Sequence, residues 1–305
     1  MTNQGDLQES LRILTGTAYD FNGDWNALFD AYSIASGTIN ERMVLWLQSA
    51  LNSSKTNINE LKQEYADSLG VSNWNGVYTI GHALPSQQLR VDASDTTTIT
   101  DSSGNVTAWA DKSGNGNNAT TTSGTPRTGD STENGLNIID FTSDQLSLPS
   151  ALYSIPNGAN TLIVVSKRAT EDGTLDVTLG MANATSEDYF HFYSNVSGAQ
   201  GFENADTGSN SISNISNTNT ALNIALCRRT GTYQDISVNG DTPASNLLAS
   251  SEASIDDAFI GTAGSGGFPL IGSIAEIIIY NRFLSAVEVT CTNNYLANKW
   301  GITLV

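Results

Sequence analysis

The stretch that most constrains this chain runs from residue 271 to residue 301 and reads IGSIAEIIIYNRFLSAVEVTCTNNYLANKWG. Residues 274 to 280 form a strongly β-prone run with a single charge in it, Glu276. Alternation puts Ala275, Ile277 and Ile279 on one face, and Ile274, Glu276, Ile278 and Tyr280 on the other. Branched apolar residues on both faces predict a strand covered on both sides, hence a central strand of a layered fold. Ser285 and Glu288 follow at the spacing of a capping box. A helix over 285 to 300 then places Val287, Cys291 and Tyr295 on adjoining turns, with Leu296 and Trp300 nearby. Gly301 supplies the left-handed stop.

The chain divides by periodicity. Residues 1 to 80 read as a small helical domain. Leu7, Leu11 and Leu14 share a face, Thr38 and Glu41 form a capping pair, and Asn57 and Glu60 start a helix that Gly70 ends. Residues 20 to 25, DFNGDW, are a turn between helices. A bundle this small is expected to lean on a neighbour. Residues 81 to 88, with Gly81, Pro85 and Ser86, read as a linker. From residue 89 to 305 the helical period gives way to short strands. Residues 162 to 165 are a buried run, and Leu175, Val177 and Leu179 alternate with Asp176 and Thr178. Leu222, Ile224 and Leu226 alternate with Asn223 and Ala225, and Ile236 and Val238 precede an Asn239-Gly240 turn. Many short strands with close turns predict an antiparallel two-sheet sandwich.

Three motifs carry resemblances. The close, G-x-I-A-E-I-I-I-Y-N-R followed by Y-L-A-x-K-W-G-I, resembles the end of a concanavalin A-like (laminin-G-like) sandwich. Residues 92 to 95, DASD, the run from 101 to 120 with its Trp109 and its Ser-Gly-Asn-Gly turn, and NGLNIIDF at 134 to 141 look like the opening of the same sandwich. Together they span more than two thirds of the chain. The pattern T-G-x-x-Y-D-F-N-G-D-W-x-A-L-F-D at 15 to 30 resembles a small helical module near the start of tailed-phage virion proteins. The resemblance implies a mainly β protein: a concanavalin A-like jelly-roll sandwich behind an all-α N-terminal domain. It also implies display on a phage particle, with residues 1 to 80 joined to other virion proteins.

Charge narrows the partners. The 305 residues carry 13 basic and 31 acidic side chains, a formal net charge of −18, while only 14% are charged. Such a surface repels phosphate backbones and anionic lipid, so neither nucleic acid nor membrane is an expected partner. Neutral glycans and divalent cations remain open. The first residues lack an apolar signal core. The expectation is synthesis in the host cytoplasm and assembly onto a virion surface, as a homo-oligomer. Cys227 and Cys291 show no metal spacing and read as buried thiols.

Each candidate site has a plain structural reading beside it. For catalysis, no E-x-D-x-E triplet, G-x-S-x-G or H-E-x-x-H occurs. The pairs Glu171-Asp172, Glu187-Asp188 and Asp256-Asp257 point to opposite strand faces, and the two histidines, His82 and His191, stand in different contexts. The chain is therefore read as a non-enzyme. For a metal, Asp111, Ser113, Asn115 and Asn117 space oxygen side chains as a Ca²⁺ loop does, and Asp92 and Asp95 could supplement them. The loop lacks a closing bidentate acid, which favours a turn held by Asx hydrogen bonds. For a glycan, Tyr189, His191 and Tyr193 share one strand face opposite Phe190 and Phe192. That row either stacks on sugar rings or is buried under a loop, helix or neighbour. Trp25, Trp46, Trp74, Trp109 and Trp300 read as packing residues. The expected function is that of a phage structural protein, a head decoration, head fibre or tail fibre, acting by surface contact, with host glycans as a candidate target. The alternative is a lectin-like adsorption module or glycan-degrading enzyme of the same fold.

Overall fold

A computed structural model describes residues 86 to 305, except 171–173, 184–188, 195–198, 206–210, 216–219, 232, 248–254 and 264–266. Ser54, Thr56 and Glu60 are also described, and at 189–191, 193–194, 199, 202–205, 211–215, 287 and 291 the backbone alone is. The helical domain expected over residues 1 to 80 otherwise lies outside the described residues. The chain divides into two compact units; Pro85–Leu284 with Leu296–Val305 make up one, and Ser285–Tyr295 belongs to the other.

Turn chemistry sets the strands. β1 (Gln87–Asp92) opens the body, followed by β2 (Ile99–Ser102) and β3 (Asn105–Trp109). Ser103 and Gly104, at φ 55° and 82°, join β2 to β3. After β4 (Ala119–Ser123), β5 (Arg127–Glu133) turns into β6 (Leu136–Thr142) through Asn134-Gly135. Those two residues sit at φ 49° and 73°, the two-residue hairpin geometry that Asn-Gly favours. β7 (Gln145–Ser147), the long β8 (Asn160–Arg168), β9 (Asp176–Ala182), β10 (Tyr189–Ser194), β11 (Ala199–Ala205) and β12 (Ser211–Ile215) follow. The chain then makes β13 (Asn223–Arg229), β14 (Tyr233–Val238), β15 (Ala244–Leu247), β16 (Asp257–Ile260), β17 (Ile271–Tyr280) and the helix α1 (Ala286–Trp300).

The named strands pair antiparallel in two layers. In one, β17 is central: β8 lies along one side of it, and β6 and β1 share the other side. β13, β14 and β15 continue outward from β8. In the second, β2, β3, β4, β7, β16, β9, β10, β11 and β12 follow one another. Asn105 and Arg127 pair β3 with β5 and link the layers. Val91, Phe141, Val164, Cys227 and Ile277 of the first layer meet Trp109, Leu146, Met181, Phe192 and Ile260 of the second in one core. Each large apolar side chain so withdrawn from water contributes about 1.5–3 kcal/mol. The protein is a mainly β antiparallel sandwich, as the strand pattern predicted.

Local details follow the sequence with three differences, one being that β13, read as alternating, is buried at Asn223 and Ala225 as well as at Ile224 and Leu226. β17 is buried on both faces, but an irregularity between Ile274 and Glu276 shifts its alternation. Ile274 therefore joins Ile277 and Ile279 in the core, where strict alternation put Ala275. β9 is buried along its whole length, Asp176 and Thr178 included, so its polar residues do not face water. The capping box forms: Ser285 N–H donates to Glu288 Oε2 at 2.8 Å and Glu288 N–H to Ser285 Oγ at 3.3 Å. Gly301 ends the helix at φ 69°.

Candidate functional site

β1 and β17 lie side by side with Asp92 opposite Glu276. Two carboxylates so placed repel unless cations separate them. Three do. Lys299 Nζ donates to Asp92 Oδ1 and to Glu276 Oε2, each at 2.6 Å. Arg90 Nε donates to Glu276 Oε1 at 2.9 Å and its Nη2 to Asp92 Oδ2 at 3.3 Å. Lys112 Nζ reaches Asp92 Oδ2 at 3.3 Å and Asp95 Oδ2 at 2.6 Å. Trp300 Nε1 adds a bond to Glu276 Oε2 at 3.1 Å, and Lys299 Nζ lies 4.7 Å from the centre of that ring.

This cluster is where two acids come near enough for glycoside chemistry. Oxygens that share one ammonium lie within about 5 Å of each other, the separation of a retaining pair. The surroundings oppose that use. Glu276 is 0% exposed. A general acid needs a raised pKa, yet Asp92 moves the other way. Burial alone would raise it, but the Lys299 ammonium, the Ser94 hydrogen bonds and Arg90 bring it to about 2. The cluster ties β1, β17, the 111–118 loop and the end of α1 into one body.

That loop holds the four residues read as a Ca²⁺ set. Asp111 Oδ1 accepts from Arg90 N–H at 2.9 Å and Ser113 N–H at 2.8 Å. Its Oδ2 accepts from Ser113 Oγ at 2.7 Å and Asn117 N–H at 2.9 Å. Asn115 Nδ2 donates to Gln87 O and Asn117 Nδ2 to Gln88 O, both at 2.7 Å. Both carboxylate oxygens thus face hydrogen-bond donors, and the amides are turned towards β1. A cation would have to displace those donors. The arrangement is the Asx-bonded turn. Asp92 and Asp95 are held by Lys299 and Lys112 and do not turn to Asp111.

The β10 row is placed by backbone alone. Tyr189, His191 and Tyr193 pair with Ala205, Glu203 and Gly201 of β11, and between them Phe192 is 0% exposed in the core. The side chains of the three lie outside the described residues, as do His82, Trp25, Trp46, Trp74, the Glu171-Asp172 and Glu187-Asp188 pairs and the Cys291 side chain. Asp256 and Asp257 are described. They lie near enough to Tyr153 that their charge, after burial, raises the phenol's pKa. Trp109 and Trp300 are buried, and so is Cys227, whose thiol burial pushes well up.

Sequence reading missed the ion cluster. Its signal was a lone Glu in an apolar strand with a Lys one residue before the helix's last Trp. It also missed the buried pair in which Arg168 Nε donates to Asp176 Oδ2 at 2.9 Å.

No family model and no curated protein matches the sequence. Solved structures do match in fold. A Trypanosoma rangeli sialidase aligns over 71% of this chain and 33% of its own, at 14% identity and TM-score 0.50. A Ruminococcus gnavus IT-sialidase CBM40 bound to alpha2,3 sialyllactose aligns over 44% of this chain and 82% of its own, at 18% identity and TM-score 0.39. The NanB sialidase from Streptococcus pneumoniae, as a K499G mutant, aligns over 50% and 27%, at 19% identity and TM-score 0.43. The chain spans about a third or less of the two sialidases. At these identities the likeness is one of fold.

Proposed function

We propose that the sandwich is a lectin-like contact module that binds glycans without cleaving them. One observation carries the choice of contact over catalysis: Asp92 and Glu276, close enough to act as a pair, are buried and charge-neutralised by Lys299 and Arg90. The surface supports the glycan side. β2 exposes Thr100, Asp101 and Ser102, and β4 exposes Thr120, Thr122 and Ser123, so hydroxyls predominate over charge there. Hydroxyl-bearing sheets match sugars in hydrogen-bond character. The β10 residues Tyr189, His191 and Tyr193 are proposed as one contact row. The full chain is expected to bind on a glycan array, and Tyr193→Ala to weaken that binding. Release of reducing ends from a surface polysaccharide would overturn the reading and favour the glycan-degrading alternative.

The proposed setting is a phage particle surface, with residues 1 to 80 as the attachment. The motif at 15 to 30 supports it. Antibody labelling of virions in negative stain tests it, and particles that never take label would refute it.

A further inference from the structure

We infer that the turn bearing Phe268 is a contact point for the apolar face of a sugar ring in a neutral glycan, an inference that rests on the glycan-binding reading above. Phe268 is 56% exposed, and its neighbour on the following strand, Ile271, is 40% exposed. Exposure of a single ring is unremarked in most proteins. Here the backbone beneath it is unusual. Phe268 sits at φ 51°, a left-handed conformation that is an outlier for a bulky side chain. Such strain persists only where surrounding structure over-determines it, and it gathers at ligand contacts.

The surroundings do over-determine it. Phe268 O accepts from Val177 N–H at 2.9 Å, and Gly267 O accepts from Ala263 N–H at 2.9 Å and Thr262 Oγ1 at 2.8 Å. Leu270 N–H donates to Gly261 O at 2.8 Å, and Leu270 O accepts from Ser143 N–H at 3.2 Å. Ser143 is itself at φ 75°. Its neighbour Asp144, 4% exposed, accepts from Thr125 N–H at 2.7 Å and Thr142 N–H at 2.6 Å, tying a third turn to the same corner. Gly261, at φ 92°, leaves no room for a side chain: a Cβ there would lie 2.5 Å from Asp144 O. Three turns are stitched into a rigid mount, and the mount holds an aromatic ring out into water.

The occupant follows from size and charge. One ring and one Ile are far less than the roughly 800 Å² per partner that a stable protein interface needs. They suit one pyranose face, whose axial C–H groups pack on an aromatic ring while its hydroxyls find polar neighbours. Thr142, Ser143, Thr170 and Thr174 are exposed in the adjoining segments. The basic residues at this end of β8 are already engaged: Arg168, 1% exposed, bonds Asp176, and Lys167 pairs with Glu133. A sialic carboxylate would meet a net charge of −18 with those cations committed, so a neutral sugar is the fitting class.

The test uses the full chain on an array of neutral glucosides, galactosides and N-acetylglucosaminides together with sialyllactoses. Wild type is expected to bind neutral ligands, Phe268→Ala to lose about tenfold in affinity, and Phe268→Trp to retain it. Phe268→Gly separates binding from folding: it removes the ring and relieves the backbone, so affinity falls while Tm holds or rises by about 2–4 °C. Wild-type binding that Phe268→Ala leaves unchanged overturns this inference alone. Binding of sialylated ligands only also overturns it and leaves the glycan reading standing. No binding by wild type overturns both. Self-association abolished by Phe268→Ala would identify a second copy as the occupant and overturn the sugar assignment.

Discussion

Glu276 and Ile271 share one strand, β17, and meet opposite surroundings: the charged residue is 0% exposed and the apolar one 40%. The difference shows how each region is held. Around Glu276, side chains carry the structure: Arg90, Lys299 and the Trp300 indole N–H satisfy a carboxylate that could not be buried alone. Around Ile271, backbone carries it, through positive-φ residues and main-chain bonds between turns. The first region can tolerate little loss of charge, and the second little gain of volume.

Four changes test how each region is held. Glu276→Ala leaves the buried Arg90 and Lys299 cations to share Asp92 with one carboxylate fewer between them, and a loss of about 3–5 kcal/mol is expected in urea unfolding. A loss below 1 kcal/mol, on the order of an exposed ion pair, would show that the cluster does not hold β1 to β17. Gly261→Ala adds a Cβ where Asp144 O would lie 2.5 Å away and where φ is 92°. About 2 kcal/mol or more is expected to be lost in the same assay. If Gly261→Ala is neutral, the corner is softer than its bonding implies.

Acid gives the third. Asp92 has a folded pKa of about 2, below its unfolded value of about 3.9. A lowered carboxyl pKa adds stability that is present above the unfolded value and disappears as pH falls through the folded one. About 2 kcal/mol should therefore vanish between roughly pH 5 and pH 2. Asp92→Asn should flatten that part of the stability profile, and an unchanged slope would assign the acid sensitivity elsewhere. The smallest effect is expected at Ile271→Thr, within about 0.5 kcal/mol of wild type by melting, because the side chain is already wetted.

Much of the sandwich was legible because its signals are local. Asn239-Gly240 turns where such a dipeptide favours positive φ. Ser285 and Glu288 bond each other as their spacing foretold. The burial of β8 and β17 follows from their apolar runs. The site was far less legible. Asp92 and Asp95 read as spare metal ligands because nothing in sequence shows that Lys112 and Lys299 come back to them. Asp176 read as an outward polar residue because its partner, Arg168, stands on a different strand. Phe268 carried no motif at all.

Residues close in the chain set the β character of the body, its apolar strands at 162 to 165 and 274 to 280, the Asn239-Gly240 turn and the capped final helix, since each depends on local sequence. Tertiary structure alone decided which charges neutralise one another and which apolar ring faces water. Those outcomes depend on distances between elements far apart in the chain, set only when the two layers close on a common core.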